Sequence, residues 1–134
     1  MKVRAGLGVA ALCVAGAALP IWGHHSHGQY EDTFMDIEGV VKEVHLVVPH
    51  SWIYLEIKDP KGGEPQVWAL EATGRTQLEK IGVTPGYVSP GDTVKARCHH
   101  LRDGSNGCLL VFLKAKDGTV KDWDGNGAAL PSDF

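Results

Sequence analysis

Beyond Glu31 the apolar positions of this chain recur with a period of two, in short runs broken by turn residues, which predicts antiparallel strands. Residues 37–48 (IEGVVKEVHLVV) form the longest run, with Gly39 marking a bend or bulge. In the second run, SWIYLEIKD from Ser51, Ile53, Leu55 and Ile57 face one way while Trp52, Tyr54 and Glu56 face the other. DPKGGEP turns the chain into a third run, QVWALEA, at residues 66–72. The period then changes: residues 73–82 place Leu78 and Ile81 three apart, with Thr73 as an expected N-cap and Gly82 as a stop, which predicts a short helix. Pro85 is suited to open a further helical turn. SPGD at residues 89–92 launches a fourth strand, TVKARCHH, and DGSNG turns into a fifth, CLLVFLKA, which is apolar on both faces and so expected to be well covered.

Three strands, a helix and two strands, with a long bent first strand, is the order of a small five-stranded Greek-key (OB-like) barrel. The fold class is therefore mainly β, with an open α+β sheet or another small barrel as the alternatives. The barrel is expected over residues 37–116. Residues 117–134 (DGTVKDWDGNGAALPSDF) are Gly-rich and polar and are expected to form a flexible tail, with Trp123 the one residue suited to dock.

The N-terminal pattern is of another kind. Lys2 and Arg4 precede an uncharged stretch from Ala5 to Trp22, and Gly23 offers a small residue for cleavage, so residues 1–23 read as an export signal. A retained anchor helix is the competing reading, since about 18 apolar residues approach the length that spans a bilayer. Ala15-Gly16-Ala17 is an alternative cleavage point. Loss of Lys2 and Arg4 takes the 13 basic residues to 11 against 16 acidic ones, a net charge of −5. No basic stripe stands out, so nucleic acid is not an expected partner. After cleavage no membrane span is expected either. Export also changes the meaning of the cysteines: Cys13 leaves with the signal, and Cys98 and Cys108, flanking a hairpin turn, are expected to form a disulfide. Two reduced, buried thiols are the alternative.

Several short motifs then occur in order: HHS at His24 to Ser26, PHSWIYLEIKD from Pro49, WALEA from Trp68, L-x-x-I-G from Leu78, PGD at Pro90 and LRDGSNG at Leu101. Together they resemble a family of small exported bacterial proteins of unknown function, with a mature His-His-Ser start and an Asn-Pro-His-x-Trp motif. The resemblance spans about residues 24–115 and implies location and boundaries but no activity. One position departs from it, since Val48 stands where the family has asparagine.

Candidate chemistry centres on histidine. Residues 24–36 form a His-rich N-terminal segment, and cleavage after Gly23 gives His24 both a free α-amine and an imidazole, a chelating pair. With His25, His27 or a histidine from the fold it suits a transition metal, copper first and zinc next. A solvated, flexible terminus is the bland reading. His50, on the loop after the first strand, is the fold's candidate ligand, with a loop histidine bonded to backbone as its alternative. Trp52 and Tyr54 share a face that offers a stacking platform for an envelope protein, peptide or glycan, unless the chain's own ends cover it. Trp68 and Glu71 on the third strand complete the candidate ligand face, Glu71 as a metal ligand, general base or salt-bridge partner. No G-x-S-x-G, H-E-x-x-H, Walker or dinucleotide motif is present, which favours a binding protein over an enzyme and leaves an oxidative copper enzyme as the catalytic alternative. Intact mass of the exported protein checks the boundary: the first residue is expected to be His24, and a chain that keeps residues 18–23 contradicts it.

Overall fold

The structure is a computed structural model and describes residues 27–134. A 3-10 turn, His27–Gln29, leads into six strands and one helix: β1 (Tyr30–His45), β2 (Ser51–Ile57), β3 (Gln66–Ala72), α1 (Arg75–Lys80), β4 (Thr93–Leu101), β5 (Gly107–Lys114) and β6 (Val120–Asp122). The molecule is mainly β, as the alternation predicts. Its strands are hydrogen-bonded in the order β3-β2-β1-β4-β5-β6. A parallel contact of β3 with β5, over Ala69 to Glu71, joins the first strand of this series to its penultimate one.

Two differences from the expected strands have physical causes. The first strand begins at Tyr30, seven residues before its apolar alternation starts. Residues 30–40 pair with β4 and residues 40–45 with β2, so its first half is held by backbone pairing while many of its side chains stay in solvent. The alternation rule detects burial rather than pairing, and misses that half. The bulge lies between Val41 and Glu43 rather than at Gly39. Gly39 instead permits close approach, since a Cβ there would lie 2.7 Å from the Glu56 carbonyl oxygen.

The strand count is six rather than five. Residues read as tail form β6, which pairs with Phe112 to Lys114 of β5, and the next residue, Trp123, is fully buried. Its backbone continues the network, with Trp123 N donating to the Val111 carbonyl at 2.7 Å and its own carbonyl accepting from Thr73 N at 2.8 Å. The indole Nε1 is the one buried side-chain polar atom without a partner among the described residues. An unmet donor of that kind costs about 1–3 kcal/mol, so burial of the large ring has to exceed it.

The core gathers Ile53, Leu55, Leu70, Ala96, Leu110 and Leu113 from the inward faces of the strands, and α1 closes one end with Leu78. All five central residues of β5, Cys108 to Phe112, are buried, which accounts for its two apolar faces. Cys98 and Cys108 form the expected disulfide across β4 and β5, inside this core. A cross-link closing so short a loop contributes about 2–3 kcal/mol by restricting the unfolded chain.

The helix is where the period change places it, but its N-cap is Gly74, not Thr73. Thr73 follows the end of β3 and is tied to other segments, its carbonyl accepting from Ser51 N and its N donating to the Trp123 carbonyl. Gly74 lies against the loop before β2, where a Cβ would come within 2.6 Å of the Pro49 carbonyl oxygen. The packing of Trp123 gives a direct check. Trp123→Ala is expected to lower unfolding free energy by about 3–5 kcal/mol in urea titration, whereas a residue on a loose tail would change it by a few tenths.

Candidate functional site

The loop between β1 and β2 carries His50 and is fixed at several points. The Val48–Pro49 peptide is cis. Ser51, fully buried, accepts from Val47 N at 3.3 Å and donates to the Val47 carbonyl at 3.2 Å through the same hydroxyl. Arg75 N, at the start of α1, donates to that carbonyl as well, at 3.0 Å. Backbone and buried hydroxyl together hold His50 at the edge of β3.

There it meets Glu71. Glu71 lies directly across from Trp52 in the β2–β3 register, and its Oε1 is 3.0 Å from His50 Nδ1, with the two side chains 15% and 23% exposed. Its other oxygen, Oε2, accepts from the Tyr30 hydroxyl. Tyr30 is the first residue of β1 and is 6% exposed. Tyrosine, glutamate and histidine from three separate parts of the chain thus share one carboxylate. An ionised carboxylate only accepts, so His50 Nδ1 carries a proton and donates it to Glu71.

These three residues line a cavity of about 340 Å³. Gln29 and Pro49 line the same side, Ala72, Thr73 and Leu109 add a partly apolar wall, and Asp124 and Asn126 enter from the segment after β6. That segment is shaped by Asp122, whose carboxylate accepts from the backbone N of Asp124 (2.9 Å), Gly125 (3.1 Å), Gly127 (2.8 Å) and Ala128 (3.3 Å).

The expected site residues divide among three places. His24 and His25 lie outside the described residues, and His27 opens the 3-10 turn with its side chain outside them. His50 and Glu71 come together in the cavity. Trp52 and Tyr54 face outward, half-buried, and Tyr54 packs edge-on against His45 at 5.7 Å. Trp68 separates from them: it pairs with the buried Leu55, packs against the core, and stacks on His100 at 5.0 Å. His100 donates from Nε2 to the Ser105 carbonyl, and His99 from Nδ1 to the Thr33 carbonyl. Among the described residues no group of three or more His, Cys, Asp and Glu is arranged to hold a metal ion. No helix among them is long and apolar enough to cross a membrane.

Tyr30, Asp124 and Asn126 are missed by sequence reasoning. Tyr30 stands at the end of GHHSHGQY, but only register places it on Glu71, and nothing local ties residue 124 to residue 50.

Burial raises the Tyr30 hydroxyl well above the ordinary tyrosine value, and the hydrogen bond to Glu71 and that group's negative charge raise it further. Burial raises Tyr87 too. Folding therefore favours the protonated phenols, so their contribution is complete below about pH 10 and is lost as pH rises through the higher folded-state values. Stability is expected to fall on the alkaline side of pH 10, and Tyr30→Phe to remove much of that slope, leaving the part due to Tyr87. Thermal melts from pH 8 to 11.5 check this; an unchanged slope in Tyr30→Phe would contradict it.

Residues 10–112 match a family described as of unknown function, DUF6152. No curated protein matches the chain. Among solved structures, similarity is found to a mitochondrial single-stranded DNA binding protein from S. cerevisiae, Rim1, at 12% identity and a TM-score of 0.48, covering 62% of this chain and 92% of that one. A selenomethionine-labelled form of the same yeast protein gives 11% identity and a TM-score of 0.45 over the same shares.

Proposed function

Since the chain belongs to the DUF6152 family of unknown function, whose description assigns it no activity, we propose a function from its own site: a small exported binding protein of the bacterial envelope. In this reading an OB-like barrel presents His50 to a His-rich mature N terminus, and the two together take a transition metal, copper in the first place. The observation that carries it is connectivity. The His-rich segment enters the fold at Gln29 and Tyr30, which line the same cavity as His50 and Glu71.

The chemistry of the donors fits. His50 is oriented by a carboxylate on Nδ1, the arrangement that fixes the tautomer of metal-binding histidines and makes Nε2 the ligating nitrogen. Imidazoles and an α-amine from residues 24–27 supply the further nitrogens that suit Cu(II), and zinc is the next candidate. Single-stranded DNA, the ligand named for the yeast proteins, is not proposed here, because the processed chain carries net charge −5.

A second reading rests on the outward face of β2 and β3, where Trp52 and Tyr54 adjoin Val67, an exposed apolar residue. That face suits an envelope protein, peptide or glycan without metal.

Copper affinity of the processed protein distinguishes the two. A combined His24→Ala and His25→Ala variant is expected to lose tight binding, and Glu71→Gln to weaken it by roughly 10–100-fold through loss of the His50 orientation. Binding no tighter than that of a chain with residues 24–27 scrambled would overturn the metal reading and leave the aromatic face.

A further inference from the structure

A second cavity, of about 490 Å³, lies between the end of α1 and the segment after β6, and neither His50 nor Glu71 lines it. Its wall is aliphatic. Ile81 follows α1, Val120 begins β6 and Leu130 lies beyond it in the chain. Ile81 and Leu130 are 40% and 55% exposed, so apolar surface here stands open to solvent. Gly125 and Gly127 line this cavity while Asp124 and Asn126, alternating with them, line the other, so one short segment divides the two.

Three charged side chains reach the aliphatic wall: Lys80, Lys121 and Asp122. Lys121 is held in place, its Nζ donating to the Ile81 carbonyl at 2.6 Å and lying 5.4 Å from the centre of the Tyr87 ring. An ammonium carries three donors, so one such bond leaves others for a ligand. Lys80, in the last turn of α1, is exposed and holds no ion pair among the described residues. Asp122 has both oxygens engaged, Oδ1 by the amides of Asp124 and Gly125 and Oδ2 by those of Gly127 and Ala128. Two ammonium groups against one carboxylate leave a single positive charge in excess beside an apolar wall.

We propose that this cavity binds a free aliphatic carboxylate of medium chain length, with its head at Lys80 and Lys121 and its hydrocarbon chain along Ile81, Val120 and Leu130. The charge balance matches a monoanion. A phosphate group is matched less well, because no arginine fork lines the cavity among the described residues. No aromatic ring lines it among those residues either, so a hydrocarbon chain fits the wall better than a sugar or base that would stack. The volume lies within the range of small-molecule pockets. Each methylene taken fully out of water strengthens binding by about fourfold, so affinity is expected to rise with chain length.

The test titrates the exported, 15N-labelled protein with sodium octanoate, without added metal, and follows it by NMR. Saturable shifts are expected at Ile81, Val120, Lys121 and Leu130, with a Kd on the order of 0.1–1 mM. Octan-1-ol keeps the chain but not the charge and is expected to bind about 10–100-fold more weakly, while butanoate keeps the charge and loses at least about tenfold. Combined Lys80→Gln and Lys121→Gln changes are expected to weaken octanoate by about 10–100-fold. Leu130→Asp alters a side chain outside the core and is expected to abolish binding with the fold intact. Absence of saturable octanoate binding overturns the proposal, as does octanol binding equal to that of octanoate. Shifts centred on the His50 cavity, or a Leu130→Asp chain that binds as tightly as the unmodified one, overturn it as well. None of these outcomes bears on the copper measurement.

Discussion

β1 is shared between two neighbours, and the rest of the molecule is arranged around that division. Its first half pairs with β4 and its second half with β2, with the two sets of pairings meeting at Val40. The bulge at Val41/Glu43, just past that meeting point, bends the strand. Once β1 bends, β3 and β5 are brought close enough to pair over three residues. Glu71 is one of those three, so the carboxylate at the centre of the candidate site stands where the sheet closes on itself.

That location has an electrostatic consequence. A carboxylate at 15% exposure loses much of its hydration, and the loss is offset by fixed donors. Tyr30 and His50 supply them, and neither is near Glu71 in sequence. Both oxygens are engaged, so the carboxylate is fixed in orientation. The Tyr30 bond also anchors the first residue of β1, which ties the path of the N-terminal segment to the same group.

The sequence was most legible where burial alternates. β2 and the inward face of β4 follow their apolar spacing, and the helix falls where the period changes, because in these segments one face enters the core and the other does not. It was least legible where backbone pairing, not side-chain burial, makes the strand. The first half of β1, rich in Glu, Asp and Thr, and the three residues of β6 have no such signature. Glu71 and His50 could each be named as candidates from local context, but their meeting depends on the turn at Pro49 and the β2–β3 register. Asp124 depends on Trp123, whose burial in the core reverses what the Gly-rich composition around it suggests. Long-range placement is set by three-dimensional packing that no short window contains.

Val48, in the loop that carries His50, is 66% exposed. The shape of that loop is held by the hydroxyl of Ser51, by the Arg75 amide, and by the absence of a side chain at Gly74. Position 48 can therefore change its side chain while His50 keeps its bearing on Glu71. The architecture of the loop is written not in this exposed residue but three and twenty-six positions further on.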